Sequence, residues 1–407
     1  MSYPRKLVFS AALILLMAAP LPLDRSQAQG GITVEDAAVA VHFGQSITFS
    51  AKIRASSPIR QASLLFRGVH ETVTRVETVQ PAEDGSVSFT YDVSQNVFPP
   101  FSSIVFWFQA TLADNQTYTS APITFRYNDN RFPWREISRG SVTVHWYAGD
   151  DAFGAAALDA AAAGMFAMSE FINIPPGEPI HIYIYSNVTD LQDTLTLGGQ
   201  EWIGGHASPE IGVALAAAPP GPSQAMELQT KIPHELAHII LYRALGNKYS
   251  SQPVWLLEGI ASMMEQYPNP DYARALQIAS GNDSLLRFES LCDNFPADAG
   301  GAYLAYAQSQ SFVSYIRKTY GTSGLGRLLN AYGDGLSCEL GATSALGTPL
   351  GQLEERWREE TLGQNAFGVA MRNLLPFIML LMLALAVPIW GAVDMFLQRR
   401  KRANQSK

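Results

Sequence analysis

The pentapeptide His234-Glu235-Leu236-Ala237-His238 constrains this chain more than any other feature. It lies inside a stretch, Gln224 to Leu245, whose pattern predicts one long helix stopped by Gly246. Four residues make just over one helical turn, so both imidazoles leave the same face, about 6 Å apart along the axis. That spacing lets two histidines bind a single zinc ion. Glu235 lies beside them, within reach of a water that such an ion would hold. Pro233 precedes the first histidine. It has no N–H to donate, which predicts a kink or the start of a new helical segment at that point.

A third ligand has to come from another part of the chain. Glu258 follows His238 by twenty residues, inside the apolar run Val254-Trp255-Leu256-Leu257-Glu258-Gly259-Ile260-Ala261. A carboxylate in such a run needs a partner. Gly246 and Pro253 bound the turn between the two helices. Glu265 is the competing carboxylate, on nearly the same helix face as Glu258 but about 10 Å further along the axis.

These residues resemble the MA-like gluzincin peptidases. The resemblance rests on His234-Glu235-Leu236-Ala237-His238, on Trp255-Leu256-Leu257-Glu258-Gly259-Ile260-Ala261, and on Tyr306-Ala307-Gln308-Ser309 leading into Phe312-Val313-Ser314-Tyr315-Ile316 and Tyr320-Gly321. Leu353-Glu354-Glu355-Arg356-Trp357 resembles the helix that closes such domains. The resemblance implies an α+β zincin (thermolysin-like) catalytic domain over residues 136–365. It implies Zn2+ as cofactor, with His234, His238 and Glu258 as metal ligands and Glu235 as general base. Tyr306 is implied as donor to the oxyanion, with Tyr303 one turn earlier on nearly the same face. An edge strand beside the metal is implied to pair with extended substrate, and residues Glu210 to Ala216 are the candidate. Apart from the resemblance, His206 and His145 are candidate substrate contacts or, as loop and strand histidines, simply exposed. The implied activity is hydrolysis of peptide bonds in a protein or peptide, by an endopeptidase rather than an exopeptidase, because no Gly-x-Met-x-Asn segment is present. Three positions bear on the branch. Ala244 stands where metzincins carry a third histidine, and Ser262 stands where thermolysin-like relatives carry an aspartate that orients a ligand. The rival expectation is a non-catalytic cell-surface binding protein on a zincin scaffold; the presence of Glu235 speaks for catalysis.

The remainder of the chain surrounds this body with three further modules. Residues 30–128 alternate polar and apolar: Ile47, Phe49, Ala51 and Ile53 on one face, and Val87, Phe89, Tyr91 and Val93 likewise. Several such segments separated by turn residues predict an all-β immunoglobulin-like sandwich, a spacer or binding unit without a catalytic constellation. Asn128 to Arg135 reads as a linker. Strands at Val142 to Tyr147, Pro179 to Tyr185 and Glu210 to Ala216 then precede mostly helices, the order of an α+β domain.

The two ends predict the compartment. Residues 1–28 read as a signal peptide, with Arg5 and Lys6 before an apolar run and Ser26-Gln27-Ala28 at the cleavage point. From Leu374 to Val393 no residue is charged, which is long enough to cross a bilayer; the helix is expected to extend over 374–397. The basic tail 398–407, with Arg399, Arg400, Lys401 and Arg402, is expected to stay cytoplasmic. Together they predict a single-pass cell-membrane protein with its catalytic domain outside. Between residues 30 and 371 nineteen Lys and Arg face thirty-four Asp and Glu, which argues against nucleic acid as partner. Cys292 and Cys338 would lie in the exported part, as a bridge or as two buried thiols. No pattern bears on oligomeric state.

Overall fold

The alternating segments of the first 126 residues become eight antiparallel strands. A computed structural model of the chain describes residues 32–94, 98–195, 204–267, 269–363 and 366–405; the expected signal peptide lies outside them. The strands are β1 (Ile32–His42), β2 (Ser46–Ala55), β3 (Ile59–Gly68), β4 (Arg75–Val79), β5 (Ser86–Asp92), β6 (Ser103–Leu112), β7 (Thr117–Thr119) and β8 (Ile123–Arg126). One sheet has the order β1-β2-β5; the other has β4-β3-β6-β7, with β8 also paired to β6. The inward residues meet as rings. Phe49 of β2 lies 4.9 Å from Phe66 of β3 and 5.1 Å from Phe106 of β6, so the two sheets pack face to face. All three rings are fully buried, each worth roughly 2 kcal/mol of removed apolar surface.

Residues 98–102 and the described chain from Tyr127 onward form a second compact unit. Its strands are β9 (Arg135–Arg139), β10 (Val142–Trp146), β11 (Ile180–Tyr185), β12 (Gly205–Ser208) and β13 (Val213–Ala217). Its helices are α1 (Asp151–Phe171), α2 (Val188–Leu195), α3 (Gln224–Leu245), α4 (Val254–Met264), α5 (Pro270–Gly281), α6 (Ala299–Gly333), α7 (Cys338–Leu346), α8 (Leu350–Leu362) and α9 (Ala366–Gln405). The sheet order is β12-β13-β11-β10-β9, with the β13-β11-β10 centre parallel and both outer pairs antiparallel.

The edge of this sheet differs from the sequence expectation. Glu210 lies in a short 3-10 turn, Pro209–Ile211, and β13 is an interior strand; the outermost strand is β12. All five residues of β13 are buried, as a strand covered on both faces and paired on both sides requires. The expected linker differs too. Asp129 is fully buried, accepts from the Tyr185 hydroxyl at 3.0 Å and pairs with Arg131 at 2.7 Å. Phe132 and Trp134 join Phe101 over the face of the sheet that carries Tyr183, Tyr185 and Leu215. The segment is thus part of the second unit's core.

The opposite face of the sheet carries Val144, Trp146, Ile182 and Ala214 into the main core with α1, α3, α4 and α6. Small residues set how closely these helices approach. A Cβ on Gly164 of α1 would meet Pro233 of α3 at 3.0 Å, and one on Gly259 of α4 would lie 2.6 Å from the Ser309 carbonyl of α6. α6 bends at Gly321 (φ +71°), a left-handed conformation that glycine adopts without steric cost. A disulfide joins Cys292 to Cys338, and the Trp255 indole of α4 donates to Cys338 Sγ at 3.4 Å. Within α9, Leu374–Val393 is long and apolar enough to span a membrane and has no buried residue; α1 is of similar length and also apolar but packs into the core.

Candidate metal centre

Two elements bring the proposed ligands together. α3 supplies His234 and His238 from one face, and α4 supplies Glu258. Glu258 Oε2 lies 3.3 Å from His234 Nε2 and 3.5 Å from His238 Nε2. One donor atom from each of the three lies within 4.8 Å of the others. Bonds of about 2.0–2.1 Å to a tetrahedral zinc put ligand atoms roughly 3.4 Å apart, so the carboxylate-to-imidazole separations fit that ion. Two neutral nitrogens and one oxygen leave a fourth position open, the donor set of a reactive rather than a structural zinc.

The other ring nitrogens are held from behind. His234 Nδ1 lies 3.0 Å from Glu265 Oε1, and His238 Nδ1 lies 3.2 Å from the Tyr249 hydroxyl. Both Nε2 atoms are therefore turned toward Glu258, with ring orientation fixed by partners outside the ligand set. Glu265, weighed above as a rival ligand, sits on the far side of His234. Tyr249 belongs to a 3-10 turn, Gly246–Ser251, that no sequence pattern singled out.

The electrostatics follow from crowding charges in a partly dry site. Burial opposes the charged form of Glu258, but His238 and His234 outweigh it and hold the carboxyl well below the usual carboxylate range. Burial likewise opposes protonation of His234, yet its contacts with Glu258 and Glu265 raise it well above the ordinary imidazole value. Glu235 behaves differently. Burial raises its carboxyl above the usual range, and the attraction of His234 and His238 only partly offsets this. A carboxylate tuned upward in this way accepts and returns a proton more readily near neutrality. Its seat is β12: a Cβ on Gly205 would overlap the Glu235 carboxylate oxygen, so glycine there lets the edge strand run against Glu235 without displacing its carboxylate.

Two cavities flank this centre, of about 340 Å³ and about 380 Å³, and Gly205, His234, Glu235 and Tyr306 line both. The Tyr306 ring lies 6.1 Å from that of His234, and burial together with Glu258 and Glu235 keeps its hydroxyl protonated. Tyr303 lines only the first cavity and packs on Tyr272 at 5.1 Å. His206 of β12 lines the second; burial depresses its imidazole value, Glu210 opposes this and His238 adds to it. His145 takes no part. It alternates with Val144 and Trp146, so it points to the other face of the sheet, where its ring meets His181 at 3.0 Å and stacks on Tyr183.

No curated protein matches the chain. Solved structures that match include a carbohydrate-binding module family 56 β-1,3-glucan binding domain (14% identity, 23% of this chain and 98% of that one, TM-score 0.17). A structure described as a myokine matches at 12% identity over 24% of this chain and 96% of that one, TM-score 0.20. The cycloalternan-degrading enzyme from Trueperella pyogenes matches at 18% identity over 26% of this chain and 13% of that one, TM-score 0.17. Scores this low carry no assignment. Residues 160–363, half of the chain and the part that holds every residue of the centre, match the model of the Peptidase MA superfamily. The chain belongs to the Peptidase MA superfamily.

Proposed function

We propose that this protein is a zinc-dependent endopeptidase of the gluzincin type on a thermolysin-like domain. The observation that carries the reading is the convergence of His234, His238 and Glu258 within 4.8 Å, with the buried Glu235 beside them. Zinc, when bound by these three side chains, would supply a Lewis acid that brings a water's pKa toward neutrality. Glu235 takes the proton from the attacking water and returns it to the leaving amine. The Tyr306 hydroxyl, kept protonated, donates to the oxyanion that develops at the scissile carbonyl. β12 borders the cleft, and among the described residues no strand pairs with its outer side. An extended peptide can therefore add to it through main-chain hydrogen bonds and run past both cavities.

In this reading residues 1–28 direct export, the apolar stretch of α9 anchors the chain in the cell membrane, and the basic tail remains in the cytoplasm. The immunoglobulin-like unit of residues 30–128 acts as spacer or binding module. The test is cleavage profiling of proteome-derived peptides with the detergent-solubilised full chain. New internal termini that vanish with a chelator and return with zinc support the reading; termini indifferent to chelator, or none, contradict it.

A further inference from the structure

Pro233 stands inside a 22-residue helix, one position ahead of a ligand, where proline ordinarily costs about 3 kcal/mol. Its nitrogen carries no hydrogen, so the Gln229 carbonyl four residues back loses its helical donor. The fold supplies another: the Gln266 N–H donates to Gln229 O at 3.0 Å. The next residue is tied as well, by the Thr230 hydroxyl donating to the Tyr267 carbonyl at 2.9 Å. Glu265 immediately precedes these two ties and presents Oε1 to His234 Nδ1 at 3.0 Å. Ser262 does not do this work; it is fully buried, and its carbonyl accepts from the Gln310 amide.

We infer that Pro233 is a positioning residue for the metal centre: by withholding an N–H, it leaves the Gln229 carbonyl to Gln266 and so fixes Glu265 against His234. An alanine at this position restores an N–H that competes for the same carbonyl. The carbonyl is then drawn back along the helix axis, away from Gln266. Glu265 thereby loses its fixed approach, and His234 loses the partner that sets its tautomer and ring angle. The inference rests on the zinc reading of His234, His238 and Glu258.

Pro233 also packs on Gly164 of α1, so its replacement has a packing cost that does not pass through Glu265. A double-mutant cycle separates the two effects. Zinc dissociation constants, from competition with a chromophoric chelator, and metal-free thermal midpoints are measured on the full chain for the parent, Pro233→Ala, Glu265→Ala and the double variant. Glu265→Ala weakens zinc by about 10- to 100-fold, the usual loss for an outer partner of a ligand. Pro233→Ala weakens it by roughly 3- to 10-fold, a fraction of that loss, and adds less than about twofold in the Glu265→Ala background. Glu265→Gln, which keeps an acceptor oxygen, binds zinc more tightly than Glu265→Ala. Thr230→Val cuts the second tie without altering Pro233, and its loss of affinity also depends on Glu265. Parent-like affinity in Pro233→Ala, or an equal loss with and without Glu265, overturns the inference. So does a Glu265→Ala chain as empty of zinc as Glu258→Ala, because Glu265 would then be a ligand. A parent chain that binds no zinc refutes the zinc reading itself; failure of the coupling alone refutes only the role of Pro233.

Discussion

His234 Nδ1 lies 3.0 Å from Glu265 Oε1, on the side of the ring opposite the nitrogen that faces Glu258. The imidazole is held between two carboxylates, one from within α4 and one from just beyond its end. Burial alone would keep this ring neutral, but the two carboxylates raise it well above the ordinary value, so His234 in the metal-free protein is expected to hold its proton to higher pH than a free imidazole. A ligand nitrogen must be free of its proton to bind a metal. Zinc uptake near pH 7 should therefore release about one proton per chain. Titration calorimetry in buffers of different ionisation enthalpy reads that number. Release near zero would mean that His234 is neutral beforehand or stays outside the coordination.

Gly205 tests how finely Glu235 is placed. Gly205→Ala puts a methyl group where the Glu235 carboxylate now packs. The carboxylate must move while all three ligands stay. Turnover should fall about 10²-fold, the scale associated with a displacement of about 1 Å at a reacting group. Zinc content should remain at the parent level. Equal loss of zinc and activity would show that the edge strand supports the ligands instead.

Tyr306 and Tyr303 separate by position. Tyr306 faces His234, whereas Tyr303 packs on Tyr272 away from it. Tyr306→Phe should lower kcat about 10²-fold and leave zinc content and thermal midpoint unchanged. Tyr303→Phe should leave kcat within about twofold, since it removes no donor at the reacting carbonyl. A reversed pattern would assign the oxyanion donor to Tyr303.

The Cys292–Cys338 bridge closes a loop of 46 residues and adjoins the first turn of α4, where the Val254 N–H donates to the Cys292 carbonyl at 2.8 Å. Changing both cysteines to Ser should cost about 4 kcal/mol in the chain-entropy account, lowering the thermal midpoint by roughly 10 °C. A change of under about 2 °C would show that the bond contributes little, as strained or redundant bridges do.

Helix α3 was legible in the sequence from Gln224 to its stop at Gly246, because apolar period, spacing and capping agree there. The strands at 142–146 and 180–185 were legible for the same reason. The edge of the sheet was not. Val213 to Ala217 is a short run of small apolar residues that fits a strand anywhere, and the four residues of β12 are too few to show a period. The packed role of Asn128 to Arg135 was hidden because Asp129 and Arg131 read as exposed polar residues until Tyr185 and Thr194 supply partners. At the site, the histidines and Glu258 follow a local spacing; Glu265 was legible as a carboxylate near that face but not as the partner behind His234, and Tyr249 reaches His238 from a turn that leaves no periodic signal.

The most direct test of the central claim pairs zinc content with peptide turnover in Glu235→Gln. Glu235 moves a proton and is not one of the three ligands. The amide variant should therefore keep one zinc per chain and lose turnover by about 10²- to 10⁴-fold, the contribution of general acid–base catalysis. Parent-like turnover in a zinc-loaded Glu235→Gln chain would contradict the account.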